Sequence, residues 1–234
     1  MIQIIDYGMG NLRSVEKAFH SLGYPATTTN AAAVVRTADA VVLPGVGAFA
    51  RAMEALAAKN LDTAMLWAIE RGKPFLGICL GLQLLFEASE EFEHRRGLGI
   101  FKGKVVRFSG PRFQRPSAEQ PAELRVPHMG WNSIRKYREV PLLSTVPDRA
   151  MFYFVHSYYP VPEDPRLIVT VTDHGGEFCS SVQQDHIFAC QFHPEKSGPV
   201  GLRILEQFAA PLYGPATHPE QGGRPDAPRP WPGR

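Results

Sequence analysis

The 234-residue chain has only three cysteines, Cys79, Cys179 and Cys190, and no Cys-x-x-Cys pair. An odd, widely spaced set argues against a disulfide framework or a thiolate zinc site and fits a reducing cytoplasm. Long hydrophobic runs are also missing, with nothing near the roughly 18–20 apolar residues that cross a bilayer, so no membrane partner is expected. Met1-Ile2-Gln3-Ile4-Ile5-Asp6 has no basic leader region and reads as a first strand, not a signal peptide. Strong charge of either sign is absent. The 25 Lys and Arg against 23 Asp and Glu leave a formal charge of +2, too little to expect nucleic acid as a partner. Arg95, Arg96, Lys102, Lys104, Arg107, Arg112 and Arg115 do cluster, but Glu87, Glu90, Glu91 and Glu93 balance them as a solvated surface. No internal repeat is visible, and nothing calls for a metal or a cofactor.

What is present is a change of grammar near residue 100. Before it, apolar strands at 2–6, 40–43 and 75–78 alternate with helical patterns at 14–22, 49–59, 61–71 and 82–89. Gly23 and Gly72 stand in helix-stop positions. Continuously apolar strands between helices predict a mostly parallel central sheet flanked by helices, an α/β fold. After residue 100, short β-type runs at 104–108, 151–155, 167–172, 178–183 and 187–192 predict an antiparallel extension, with a hairpin at Gln184-Asp185. Pro199 opens a closing helix at about 200–209. The Pro-rich segment 109–122 reads as an exposed loop. Residues 1–213 form the expected domain, and the Pro/Gly-rich tail 214–234 is expected to be disordered.

One short segment carries chemistry. Gly77-Ile78-Cys79-Leu80-Gly81 places a cysteine between glycines where a buried strand turns into a helix. That is the nucleophile-elbow pattern with sulfur in place of oxygen. A cysteine in a Gly-flanked apolar segment is otherwise an inert core residue, so Cys79 needs a base and an oxyanion site to be read as reactive. His193 in Gln191-Phe192-His193-Pro194-Glu195 stands at a strand end, and Pro194 keeps it extended. Residues two apart in extended chain share a side, so Glu195 can hold the imidazole tautomer. The bland alternative is turn chemistry. Pro44-Gly45-Val46-Gly47 also follows a strand, and strand ends of such sheets border one crevice. The Gly47 and Leu80 amides are therefore an oxyanion pair, or the glycines simply end a strand. His20, His94, His174, His186 and His218 lack a suggestive setting. His128 and His156 lie in aromatic-rich motifs that favour packing or a partner contact over proton transfer.

Taken in order, the segments at 44–49, 77–83 and 191–197 resemble the class I (triad) glutamine amidotransferases. Three more, Asp6-Tyr7-Gly8-Met9-Gly10-Asn11-Leu12, Val126-Pro127-His128-Met129-Gly130-Trp131-Asn132 and Tyr153-Phe154-Val155-His156-Ser157-Tyr158-Tyr159, are similar to the glutaminase subunits of imidazole glycerol phosphate synthases. The resemblance covers about residues 1–213 and implies a glutaminase without a cofactor. It implies Cys79 as nucleophile, His193 as acid and base and Glu195 as its orienter. Gly45, Gly47, Gln83, Ser157 and Tyr158 would hold glutamine. It further implies a cytoplasmic heterodimer with a (β/α)8-barrel cyclase. There, ammonia would yield imidazole glycerol phosphate and an aminoimidazole carboxamide ribonucleotide, in histidine biosynthesis. Asn11, Trp131, Tyr153 and Lys196 are the implied contacts with that partner. The alternatives are an anthranilate-type subunit, which commonly has His where this chain has Leu82, and a silent binding module of the same fold. The loop at 109–122 and the tail exceed the family's pattern.

Overall fold

Aliphatic strands with no polar face persist only between covering layers. In the computed structural model, which describes residues 1–91, 95–109 and 125–216, the first half of the chain follows that rule. Ile2–Ile5 (β1), Ala26–Thr29 (β2), Ala40–Gly45 (β3) and Phe75–Cys79 (β4) run parallel, and β1, β3 and β4 are buried throughout. Leu12–Ser21 (α1), Ala32–Thr37 (α2), Phe49–Ala58 (α3) and Leu61–Glu70 (α4) connect them. Gly23 and Gly72 follow α1 and α4 in left-handed backbone, as the sequence predicts. A five-residue helix, Leu80–Leu84 (α5), leaves β4 directly.

Here the structure departs from the sequence reading. The helix predicted over 82–89 ends at Leu84, and Phe86–Ser89 becomes a strand (β5). Arg95–Arg96 (β6) and Phe101–Arg107 (β7) pair with it on either side. Those distant partners, and the complete burial of Phe86, outweigh local helix propensity.

The remaining strands are His128–Ser133 (β8), Arg135–Lys136 (β9), Met151–His156 (β10), Tyr158–Pro162 (β11), Ile168–Asp173 (β12), Glu177–Gln184 (β13) and Ile187–Cys190 (β14). The main sheet has the order β2-β1-β3-β4-β14-β13-β12-β9, with smaller sheets β11-β7-β5-β6 and β10-β8 beside it. β14 is the seam: it pairs parallel with β4 and antiparallel with β13. The expectation of antiparallel pairs therefore held on one side of β14 only. Asp185, in the β13–β14 hairpin, takes a φ of 49°.

Gly198–Tyr213 (α6) closes the fold with Pro199 in its first turn. It runs past the predicted end because Leu212 and Tyr213 are still buried, and the Tyr213 hydroxyl donates to Asp39 at 2.9 Å. One hydrophobic cluster packs α1 and α6 on one face of the sheet, and a second packs α3, α4 and α5 on the other. Among the described residues no helix is long and apolar enough to cross a membrane, and no His, Cys, Asp or Glu cluster could hold a metal ion. The predicted loop from 110 on, His94 and the tail from 217 lie outside the described residues.

Candidate active site

Three neighbouring strand ends make the site. Gly45 pairs with Cys79 across β3 and β4, and Cys190 with Ile78 across β14 and β4. Parallel neighbours end at the same edge of the sheet, so the residues following β14 come up beside the cysteine. Cys79 itself has φ 56° and ψ −108°, a conformation that costs a non-glycine residue about 1–3 kcal/mol. The turn is held by close packing beneath it: a Cβ on Gly81 would lie 1.8 Å from the Leu43 carbonyl oxygen. The Cys79 sulfur lies 3.6 Å from the donating Nε2 of Gln191 and 3.9 Å from the Val155 carbonyl oxygen.

His193 is extended and 3% exposed. Its Nδ1–H donates to Glu195 Oε1 at 2.7 Å, a pair formed by residues two apart as the pattern predicts. Its backbone is pinned twice. The His193 N–H donates to the Tyr153 carbonyl at 2.9 Å, and its carbonyl accepts from Ser197 Oγ, which in turn accepts the Tyr153 N–H. The buried Nε2 has no aligned hydrogen bond among the described residues. Burial alone would lower the His193 pKa, but the adjacent Cys79 sulfur and the Glu195 carboxylate outweigh it and raise it to about 10.

Because the folded value exceeds the ordinary 6.5, protonated His193 stabilises the fold fully below pH 6.5, and this support fades as pH climbs through about 10. With the sulfur removed in Cys79→Ala, burial faces Glu195 alone. We expect His193 then to titrate well below about 10, read from its imidazole resonances by NMR across pH. An unchanged titration would mean that the sulfur does not set it.

A cavity of about 300 Å³ opens onto Cys79, within the range of small-molecule pockets. Gly47, Leu80, Gln83, Ser157 and Tyr158 line it. Gly45 does not. It is buried below the cavity, where a Cβ would lie 2.2 Å from the Tyr7 hydroxyl and 3.0 Å from Leu80 Cβ, so its place is under the loop that carries Gly47. Gly47 has φ 101°, and Met9 packs against it from the Tyr7–Gly10 loop. Leu80 is the first residue of α5, where backbone N–H groups have no acceptor within the helix.

Besides the apolar Val46 and Val155 in its wall, four side chains at the site were not anticipated. Glu91, read from sequence as charge balance, lines the cavity and also accepts the Phe49 N–H at 2.7 Å at the start of α3. A carboxylate in this wall suits an ammonium group. Pro127 and His156 line it too. Gln191 reaches the sulfur from the strand end, two residues before His193; the same two-residue rule applied to Glu195 would have found it.

A family model described as glutamine amidotransferase class-I matches residues 3–212. This chain belongs to that family. Among relatives, imidazole glycerol phosphate synthase subunit HisH of Syntrophotalea carbinolica is 53% identical over 208 residues, covering 89% of this chain and 98% of its own. The protein of the same description from Aquifex aeolicus is 48% identical, covering 88% and 94%. Among solved structures, PurLQS from Thermotoga maritima superposes with a TM-score of 0.65 at 18% identity, covering 88% and 96%. The glutaminase domain of Trypanosoma brucei CTPS, solved with bound acivicin, gives 0.60 at 15%, covering 95% and 97%. These distant structures share the class-I amidotransferase fold.

The four residues expected to meet a partner all reach the surface or lie just under it. Trp131 is 55% exposed, and its ring meets Tyr153 edge-on at 6.3 Å. Lys196 Nζ sits 5.9 Å over the Tyr153 ring. Asn11 is exposed just before α1, and its neighbour Gly10 packs against Gly45.

Proposed function

We propose that this amidotransferase hydrolyses glutamine to glutamate and ammonia and delivers the ammonia to a cyclase barrel that makes imidazole glycerol phosphate in histidine biosynthesis. The observation that carries the reading is the strained Cys79 elbow facing a cavity beside a buried His193–Glu195 pair. Cys79 attacks the carboxamide carbon of glutamine, and the Gly47 and Leu80 amides receive the developing oxyanion. His193 gives its proton to the departing ammonia. Water then attacks the γ-glutamyl thioester with His193 as base, and glutamate leaves. Glu195 keeps the imidazole oriented and balances its charge. Gln83, Ser157 and Tyr158 bound the substrate, with Gly45 supporting the Gly47 loop beneath them, and Glu91 supplies a carboxylate for its amino group.

Ammonia released to water at neutral pH is protonated and loses its nucleophilicity, which favours delivery across a sealed interface. Asn11, Trp131, Tyr153 and Lys196 would contribute to that interface, next to His193. The test is glutamine hydrolysis by the purified chain with and without the cyclase and its nucleotide ligand. Turnover that needs the partner supports the reading. Equal turnover by the chain alone refutes coupling, and none under either condition refutes the glutaminase. Glu195→Gln keeps the hydrogen bond but not the charge. Its kcat should fall by roughly 10³- to 10⁴-fold, with KM nearly unchanged.

A further inference from the structure

The buried pair His128 and His156 has no part in the reaction as described. Both are below 7% exposed. Their strands β8 and β10 pair antiparallel with these two residues directly opposite each other, and His128 Nδ1 and His156 Nε2 are 2.9 Å apart. Donor and acceptor roles along this contact are fixed by backbone groups at both ends. At one end His156 Nδ1 is 2.8 Å from the Tyr158 carbonyl, which only accepts, so Nδ1 carries the proton and Nε2 accepts. His128 must therefore donate from Nδ1, leaving its Nε2 as acceptor. At the other end Asn132 Nδ2 lies 3.1 Å from His128 Nε2. That amide is oriented by donating to the Asp173 carbonyl at 2.8 Å and accepting the Ser133 N–H at 2.8 Å. The two ends demand the same tautomers, and both rings are neutral.

The chain of bonds continues past Tyr158. Its carbonyl also accepts Gln83 Nε2 at 3.0 Å, which fixes the Gln83 amide; Gln83 Nε2 then donates to Gln191 Oε1 at 3.1 Å. That leaves the Gln191 NH2 facing the Cys79 sulfur at 3.6 Å. Each amide or imidazole along this path has one orientation compatible with its neighbours.

Resting on the reading of Cys79 as nucleophile, we propose that His128 and His156 are positioning residues: a neutral imidazole relay from Asn132 that sets the Tyr158 carbonyl, and through Gln83 and Gln191 presents an N–H donor to the sulfur. A proton added to either ring would place two donors face to face and break the relay. Burial acts against that proton. It pushes His128 down to about 3, with His174 adding to the shift, and lowers His156 well below its ordinary range. His128, His174 and His193 act on His156 in the same direction, while its bond to Tyr158 opposes them. The rings of Phe108, Phe154 and Phe178 pack against His156 on its side away from the cavity opening and add to that burial.

The test uses the full chain with its cyclase partner. Replacing both rings, His128→Phe with His156→Phe, removes donors and acceptors together, a change that is close to neutral for stability when shape is kept. We expect kcat for glutamine to fall about tenfold, the loss of one well-placed interaction, with a smaller change in KM. His156→Asn in the His128→Phe background restores a donor toward Tyr158 and should recover most of that loss. A purely structural role predicts the reverse order, because an amide in this aromatic cage is the less stable choice. A folded double-Phe variant with unaltered kcat overturns the proposal. Should that variant not fold, imidazole nitrogen NMR of the unaltered chain decides: both rings should be neutral Nδ1–H tautomers from roughly pH 6 to 8. An imidazolium or an Nε2–H tautomer at either position overturns the relay. The NMR arm needs no turnover, so it stands apart from failure of the glutaminase reading, which would show as an unaltered chain inert with its partner.

Discussion

Cys79→Ala is expected to lower glutamine hydrolysis by roughly 10⁴-fold or more, the scale seen when a covalent nucleophile is removed. Without sulfur there is no thioester, and water at Cβ distance gains nothing from the His193–Glu195 pair. The same variant should still fold. Cys79 is 4% exposed and sits at φ 56°, and Ala tolerates that turn no worse. Its complex with a cyclase should still make product from added ammonia, because the proposed barrel site is untouched. The measurement is paired: product formed with glutamine and with an ammonium salt. Retention of the glutamine-dependent rate would remove Cys79 from the mechanism, whereas loss of both rates would point to a damaged interface instead.

The largest effect on stability is expected at Gly81. An added Cβ would lie 1.8 Å from the Leu43 carbonyl oxygen and 2.9 Å from its carbon. That obstacle is main chain in a central strand, not the movable end of a side chain. Either α5 lifts off β3 or the strand bends, and Gly81→Ala should cost about 3 kcal/mol or more. Gly72→Ala is the control. It has φ 72° but no atom within 4 Å of the added Cβ, so about 1 kcal/mol is expected. Urea denaturation reads both. Equal midpoints for the two variants would show that the elbow is not held by packing against Leu43. Gly81→Ala should also lose activity beyond its loss of fold, since α5 carries Leu80 and Gln83 to the cavity.

Much of this was legible in the chain because the signals are local. Apolar runs marked β1, β3 and β4, glycines marked the ends of α1 and α4, and the spacing of His193 and Glu195 gave their contact. Strand β5 was not legible. Its partners β6 and β7 lie beyond the segment itself, and no periodicity within 82–89 reports them. Strand β8 was read only as a motif, because Met129 and Trp131 face outward where a covered strand would alternate apolar and polar. Glu91 was missed for a different reason. A carboxylate in a run of charges looks solvated until the fold places it against the start of α3 and the cavity wall. The imidazole pair is the clearest limit, since its meaning depends on a cross-strand register that no single segment contains.

The position of β14 between β4 and β13 has a consequence for how the protein comes into being. Cys79 lies in the first half of the chain, while His193 and Glu195 follow β14, the last strand among the described residues. The growing polypeptide therefore carries a thiol long before it carries a base, and only insertion of β14 beside β4 unites them. Such long-range pairing forms late and slowly compared with local contacts. On the proposed roles of Cys79 and His193, unfinished or prematurely ended chains would expose a cysteine without gaining the power to release ammonia, and completion of the sheet would switch activity on.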